Sequence, residues 1–263
     1  KLAAASHTAA IDRIESIVGD EQIACDFVRL DGYLFVPLGE SPELLDRELA
    51  AAQRAGPSGV ERLPRAPLLP FETGPCLRFS RQAQFEPLKY LTAVAGALQR
   101  AGGRIFTGTH AETIQGGKPA RVKTASGRTV TAEAVVVATN SPVNDLLAMH
   151  TKQAAYMTYA IGAILPRGAV PTALYWDTLD PYHYVRIQPL SPEAGLAEPS
   201  GSEGQDVLIV GGEDHKTGQA EAQADPYARL ESWTRLRLPM IREVKFRWSG
   251  QVLETIDGLA FIG

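Results

Sequence analysis

The chain has 263 residues, of which 44% are hydrophobic and 21% charged, with a formal net charge of -4. That balance belongs to a soluble globular protein of one large or two ordinary domains, at about 150 residues per domain, and it excludes a field that favours nucleic acid or an anionic membrane. Cys25 and Cys76 form neither a disulfide framework nor a metal-ligand spacing, which predicts two buried thiols in a reducing, cytoplasmic compartment, and no apolar run is long enough to span a bilayer.

The opening "KLAAASHTAAIDRIESIV" predicts a helix, with Ile11, Ile14 and Val18 on one face. "DGYLFVPLG" is a short strand bounded by turn residues. "SPELLDRELAAAQRAG" is a helix with Ser41 as N-cap, Pro42 at its first position, Leu44, Leu45 and Leu49 inward and Gly56 past its end. The proline-rich "PSGVERLPRAPLLPFETGP" predicts a loop without regular structure. "EPLKYLTAVAGALQRAGGRIFTGTHAETI" is a helix followed by a strand; Leu88, Leu91, Ala95 and Leu98 form its apolar stripe, and Gly102-Gly103 stop it. "ARVKTAS" and "RTVTA" read as a hairpin through Ser126-Gly127. "AEAVVVATN" is a continuous apolar run of the kind buried on both faces of a parallel sheet, followed by a Ser-Pro helix start in "SPVNDLLAMH".

From Gln153 onward, strands at 153–164, "ALYWD", "YHYVRIQ" and "DVLIVGG" follow one another without a helix, which predicts a mostly antiparallel sheet. The insert "PLSPEAGLAEPSGSEGQ" reads as a loop. "DPYARLESWTRLRLP" is a helix capped by Asp225, with Tyr227, Leu230 and Trp233 inward, and "EVKFRWSGQVLETIDGLAFIG" predicts two closing strands. The fold class expected is α/β plus α+β: a partial Rossmann-like α/β layer interleaved with a mostly antiparallel lobe.

Most catalytic signatures are absent. No G-x-G-x-x-G follows a strand, no P-loop or G-x-S-x-G elbow is present, and no Cys/His set has zinc or Rieske spacing. "GGEDHKTG" has the wrong spacing for a phosphate cradle and reads as a strand-end turn. The five histidines show no partner in sequence. "YHYVRIQ" carries the most chemistry. On a strand, Tyr182, Tyr184, Arg186 and Gln188 share one face, while His183, Val185 and Ile187 take the other. An Arg beside tyrosines is a natural carboxylate clamp, because the guanidinium fork matches both oxygens; a surface salt bridge is the alternative.

Four stretches together resemble the glycine/D-amino-acid oxidase family of FAD-dependent oxidoreductases (the DAO family). "QAQFEPLKYLTAVAGALQRAGGRIFTGTHAETI" is similar to its helix and following strand, and "AEAVVVATNSP" to its strand ending in Ala-Thr-Gly or Ala-Ser-Gly beside the FAD. "DVLIVGGEDHKTGQ" looks like its substrate-lobe strand with a double glycine. "FRWSGQVLETIDGLAFIG" looks like its return to the FAD domain, with a W-x-G and D-G-x-P-x-I-G pattern. The wording of "YHYVR", "GGEDHKTGQ" and "WSGQVLETIDG" is similar to one bacterial subgroup whose members often carry a C-terminal Rieske [2Fe–2S] domain.

The resemblance implies an expected division into a FAD-domain helix (1–24), a first substrate-lobe part with a crossing loop (25–81), a FAD-binding part (82–148), a second substrate-lobe part (149–242) and a return to the FAD domain (243–263). It implies FAD contacts at Ala111, Ala138, Thr139, Asn140, Trp248, Gly250, Gly258 and Gly263, with no metal site in this chain. Asn140 replaces the usual Gly, and Asn tolerates positive φ better than most residues. Tyr184 and Arg186 are the expected substrate residues, with Gln188 the alternative aligned position. The function implied is that of the central part of an FAD-dependent oxidoreductase, inactive by itself, which oxidises an amine or amino-acid-like small molecule by hydride transfer to flavin. Electrons would pass on to oxygen, a quinone or a Rieske cluster outside these residues. The rival readings are a non-catalytic ligand-binding or assembly module of flavoprotein ancestry, and another FAD family such as a hydroxylase or reductase.

Overall fold

A computed structural model describes residues 1–56, 59–140, 152–190, 204–219, 225–256 and 258–259. The chain divides into two compact units, Lys1–Glu86 with Ala155–Val252 and Pro87–Ala154 with Leu253–Gly263. The first helix and most of the last strand therefore fall in the first unit, a different division from the one expected for residues 1–24 and 243–263.

The elements in chain order are α1 (Leu2–Asp20), β1 (Val28–Phe35), α2 (Glu43–Ala55), β2 (Val60–Leu63), β3 (Cys76–Gln84), α3 (Pro87–Arg100), β4 (Ala111–Gln115), β5 (Ala120–Thr124), β6 (Thr129–Ala132), β7 (Gln153–Pro166), β8 (Leu174–Asp177), β9 (His183–Pro189), β10 (Gln205–Lys216), α4 (Pro226–Arg237) and β11 (Val244–Thr255). An eight-stranded sheet in the order β11-β7-β10-β9-β8-β1-β3-β2 organises the first unit. The registered pairs β7–β10, β10–β9, β9–β8, β1–β3 and β3–β2 are antiparallel, and β1–β8 is parallel.

One face of this sheet carries the main core. Tyr33, Phe35, Tyr175, Val185, Ile187, Leu208 and Val210 point to it, and α4 lays Leu230 and Trp233 over them. Helix α4 starts where its sequence says it should: Asp225 accepts hydrogen bonds from the amides of Tyr227 and Ala228, and Pro226 costs nothing at a position whose N–H has no helical partner. Cys25 and Cys76 are both buried and free, as expected of small apolar side chains. The opposite face is covered at the β1–β3 end by α2, whose Leu45 packs with Val36 and Leu77. Gly56 ends α2 with φ 93, the left-handed cap only glycine adopts freely. Helix α1 buries no side chain completely and is tied to β1 by Arg29, which donates to Asp12 at 2.5 Å and Glu15 at 2.6 Å.

Two element assignments differ from expectation in this unit. Strand β2 lies inside the proline-rich segment read as a loop, because Val60–Leu63 contains no proline and pairs with Phe79–Cys76. The closing segment forms one long strand over Val244–Thr255 instead of two.

The second unit contains α3 and a three-stranded sheet in the order β4-β5-β6, with the expected hairpin between β5 and β6. Residues 133–140 overturn the reading of "AEAVVVATN". They form no strand, and Val136 is 88% exposed. A strand is defined by its pairing, and no described segment lies hydrogen-bonded beside these valines, so their β propensity alone does not make one. For the same reason the stripe of α3 is uncovered, with Leu88, Leu91 and Leu98 all exposed. "SPVNDLLAMH" and most of the "PLSPEAGLAEPSGSEGQ" insert lie outside the described residues.

Candidate functional site

Strand β9 alternates as its sequence pattern requires. His183, Val185 and Ile187 are buried in the core face, and Tyr184, Arg186 and Gln188 stand half-buried on the other. That second face continues through Gly211 and Ile209 of β10 and through Trp176 of β8, which are registered opposite Tyr184, Arg186 and Tyr184 respectively. The double glycine of "IVGGEDH" thereby gains a role that the reading as a strand-end turn had missed. A Cβ on Gly211 would run into the ring and hydroxyl of Tyr184, so glycine lets that ring lie flat on the neighbouring strand. Gly212, at φ 140, brings its α-carbon against the Tyr182 carbonyl, another approach that a side chain would block. A Cβ on Gly32 of β1 would come within 2.9 Å of the Trp176 ring, which rests there against Phe79.

The open face therefore presents Trp176, Tyr184 and Arg186 together. Burial pushes the Tyr184 hydroxyl above the ordinary tyrosine range; a hydrogen bond with Thr158 and the nearby Arg186 charge pull the other way, while the Asp214 charge adds to the rise. Tyr182 sits 6.1 Å from Tyr184, ring centre to ring centre, and is more exposed. Arg186 has no carboxylate partner among the described residues, which disfavours the surface salt-bridge alternative.

On the core face, the structure brings together a polar network that no sequence signal announced. The His183 ring lies between two carboxylates, Nδ1 at 3.0 Å from Asp177 and Nε2 at 3.4 Å from Glu213. Arg229 of α4 donates to the other Glu213 oxygen at 2.5 Å. Asp177 also accepts the amides of Leu179 and His183, at 3.2 and 2.9 Å. The imidazole stacks on Trp233 at 4.5 Å, and Arg237 covers the far side of that indole. Asp177, His183 and Glu213 are each at most 8% exposed, so their hydrogen bonds satisfy groups that burial would otherwise penalise. The four residues come from β8, β9, β10 and α4. Spacings of 6, 30 and 16 residues carry no periodic signal. The absence of visible histidine partners in the sequence is thus corrected for His183. A cavity of about 560 Å³ borders this network, between the β8–β9 connection and the start of α4.

The expected cofactor residues fall as follows. Ala111 opens β4, exposed and paired with Thr124. Ala138, Thr139 and Asn140 lie on the exposed stretch after β6, and Asn140 adopts φ 65. It thus takes up the left-handed backbone that glycine would supply, and Ala138 offers only a methyl group, so this main chain fits a nucleotide that must be approached closely. Trp248 and Gly250 are on β11, where Trp248 is 45% exposed and so is not the core residue a buried indole would be. Gly258, at φ 69, lies just beyond β11, and Gly263 lies outside the described residues. Among the described residues no His, Cys, Asp and Glu side chains form a metal-binding group. No helix among them is long and apolar enough to cross a membrane.

A long sheet with an open aromatic and cationic face, joined in one chain to a smaller α/β unit, has the fold of DAO-type flavoenzymes. The glycine oxidases of Geobacillus kaustophilus and Bacillus cereus superpose with TM-scores of 0.70 and 0.71 at 18% and 15% identity; the matches cover 98% and 99% of this chain and 67% and 70% of those proteins. Residues 1–263 match the family described as FAD dependent oxidoreductase, DAO, and the chain belongs to that family. A Bacillus subtilis relative named putative Rieske 2Fe-2S iron-sulfur protein YhfW is 28% identical over 255 residues, 97% of this chain. The chain spans about half, 47%, of that relative's length.

Proposed function

We propose that the protein containing this chain is an FAD-dependent oxidoreductase that oxidises an amine or amino-acid-like small molecule by hydride transfer to the flavin. The observation that carries this reading is Arg186, a half-buried guanidinium without a carboxylate partner among the described residues, standing beside Tyr184 and Trp176 on the open face of the sheet. A planar fork of N–H donors in that position suits a substrate carboxylate, gripped by two parallel hydrogen bonds. The Tyr184 hydroxyl, fixed by Thr158 and by the bare backbone of Gly211, gives the carboxylate a second contact. Trp176 supplies an apolar wall that keeps water from one side of the substrate.

When bound, the flavin supplies the hydride acceptor, and the protein supplies binding, orientation and electrostatics. We assign the nucleotide contacts of this chain to the main chain at Ala111 and at Ala138–Asn140 and to Gly258 and Gly263, and flavin packing to Trp248 and Gly250. The acceptor that regenerates the flavin is proposed to be oxygen, a quinone or a Rieske [2Fe–2S] cluster. The name of the B. subtilis relative supports the last. Such a cluster would lie outside these 263 residues, whose sequence has no cluster-ligand spacing.

Purified full-length protein tests the reading. It is expected to be yellow and to lose its flavin absorbance under anaerobic conditions when an amino acid or N-methyl amino acid is added. A colourless protein that stays so when FAD is supplied would establish the ligand-binding or assembly module instead. Bleaching by NAD(P)H and by no amine would point to a reductase or hydroxylase.

A further inference from the structure

The opposite faces of β10 are linked at one irregularity. Register with β7 runs without a break from Gln205 to Gly212, then resumes at His215 against Met157, so that Glu213 and Asp214 together oppose Thr158. This is a bulge, with Glu213 at φ 57, a conformation an L-residue holds only when its surroundings demand it. What demands it is the core-face network: the Glu213 carboxylate is held by His183 and Arg229. With Glu213 fastened to that side, the extra residue re-aims its neighbour. Asp214 lies near enough to Tyr184 for its charge to act on that hydroxyl. Its Oδ1 is buried and has no hydrogen-bond partner among the described residues. A carboxylate oxygen is an acceptor only, and a buried one without a donor is costly, so its place in the fold calls for a donor that arrives from outside.

We propose that Asp214 is a specificity-determining residue that receives the cationic nitrogen of the substrate, at the end of the open face where Arg186 takes the carboxylate. The proposal rests on the amine-oxidising function given above and deepens it. The substrate class is a zwitterion or N-substituted zwitterion, with its nitrogen recognised by Asp214, and a 2-hydroxy acid of the same shape is disfavoured because a neutral hydroxyl does not answer a buried negative charge. The Asp177–His183–Glu213–Arg229 network is then a positioning device, acting on the substrate through the bulge and not by contact.

The test uses full-length flavin-loaded protein, as wild type and Asp214→Asn. A panel of α-amino acids and N-methyl amino acids identifies the compound that reduces the flavin most rapidly. Its dissociation constant is taken from the anaerobic reductive half-reaction. That of its 2-hydroxy isostere is taken by competition. Asp214→Asn is expected to weaken binding of the amine tenfold or more while changing that of the hydroxy acid less than twofold, because only the charge at position 214 is removed. Equal weakening of both, or of neither, overturns the proposal, since a structural defect does not distinguish the two ligands. If Asp214→Asn does not fold, Asp214→Ser is measured for the same two ratios. A panel in which no amine reduces the flavin removes the proposed function, and this assignment with it; a reducing amine whose selectivity ignores Asp214 removes this assignment alone.

Discussion

Two apolar runs of nearly the same composition end in different states. "DVLIVGG" becomes the middle of β10, with Leu208 and Val210 fully buried. "AEAVVVATN" is irregular, with Val136 88% exposed and Val137 44% exposed. Both runs have β-branched residues in number, so propensity does not separate them. Partners do: β10 is paired on both sides, by β7 and β9, and its core side chains lie under α4. The valines after β6 have neither a neighbouring strand nor a covering helix among the described residues. An apolar run states what a segment needs, and the surrounding chain decides whether the need is met.

The comparison can be broken first by truncation. Leu208→Ala, which empties a site at 0% exposure, is expected to cost about 2–5 kcal/mol, whereas Val136→Ala in the same 263-residue chain is expected to stay within about 0.5 kcal/mol. Urea unfolding of both variants decides it, and a comparable loss for Val136→Ala would mean that the ribbon is buried after all. The second test sharpens the contrast between the two faces of β9. Arg186→Leu in the complete protein removes charge-assisted hydrogen bonds of about 1.5–3 kcal/mol each, so KM should rise roughly ten- to hundredfold with flavin content unchanged. Unaltered kinetics would take Arg186 out of the site.

Gly211→Ala is a gentler intrusion on the same face. Its new methyl group meets the Tyr184 ring, with an expected loss of about 1–3 kcal/mol and a shift in the near-ultraviolet tyrosine signal. Tyr184→Ala in the same background should recover most of that loss, because it removes the atoms in the way. The smallest effect belongs to Cys76, whose thiol is pushed up by burial from 9.0 to about 11. Between those two values the unfolded chain releases a proton that the folded chain keeps. Stability should therefore be unaffected by this group below pH 9 and should fall as pH rises from 9 to 11. Thermal melts of wild type and Cys76→Ala across that window should differ in slope, with the shallower fall in the variant.

The sequence made much of the candidate face legible. The alternation of "YHYVRIQ" put Tyr184 and Arg186 on one side of a strand, and that is where they stand, because a period of two leaves a strand no other choice once His183, Val185 and Ile187 are drawn into the core. Asp225 and Pro226 likewise announced α4. The glycines of "IVGGEDH" were visible but misread as a strand-end turn, since their purpose is set by Tyr184 on another strand, 27 residues earlier in the sequence. The bulge at Glu213 and Asp214 left no trace in local pattern, nor did the ion network behind it.

Composition and local spacing by themselves determined that this is a non-basic α/β chain with an antiparallel lobe, where its helices begin, and which side chains of β9 share a face. Those properties follow from backbone periodicity, capping and side-chain polarity, all of which act over a few residues. Only the tertiary structure decided that His183 sits between Asp177 and Glu213, that Gly211 is the bed for Tyr184, and that Asp214 carries a buried oxygen without a donor. Each of those depends on strands and a helix from distant parts of the chain meeting in one register, and short-range interactions carry no information about that meeting.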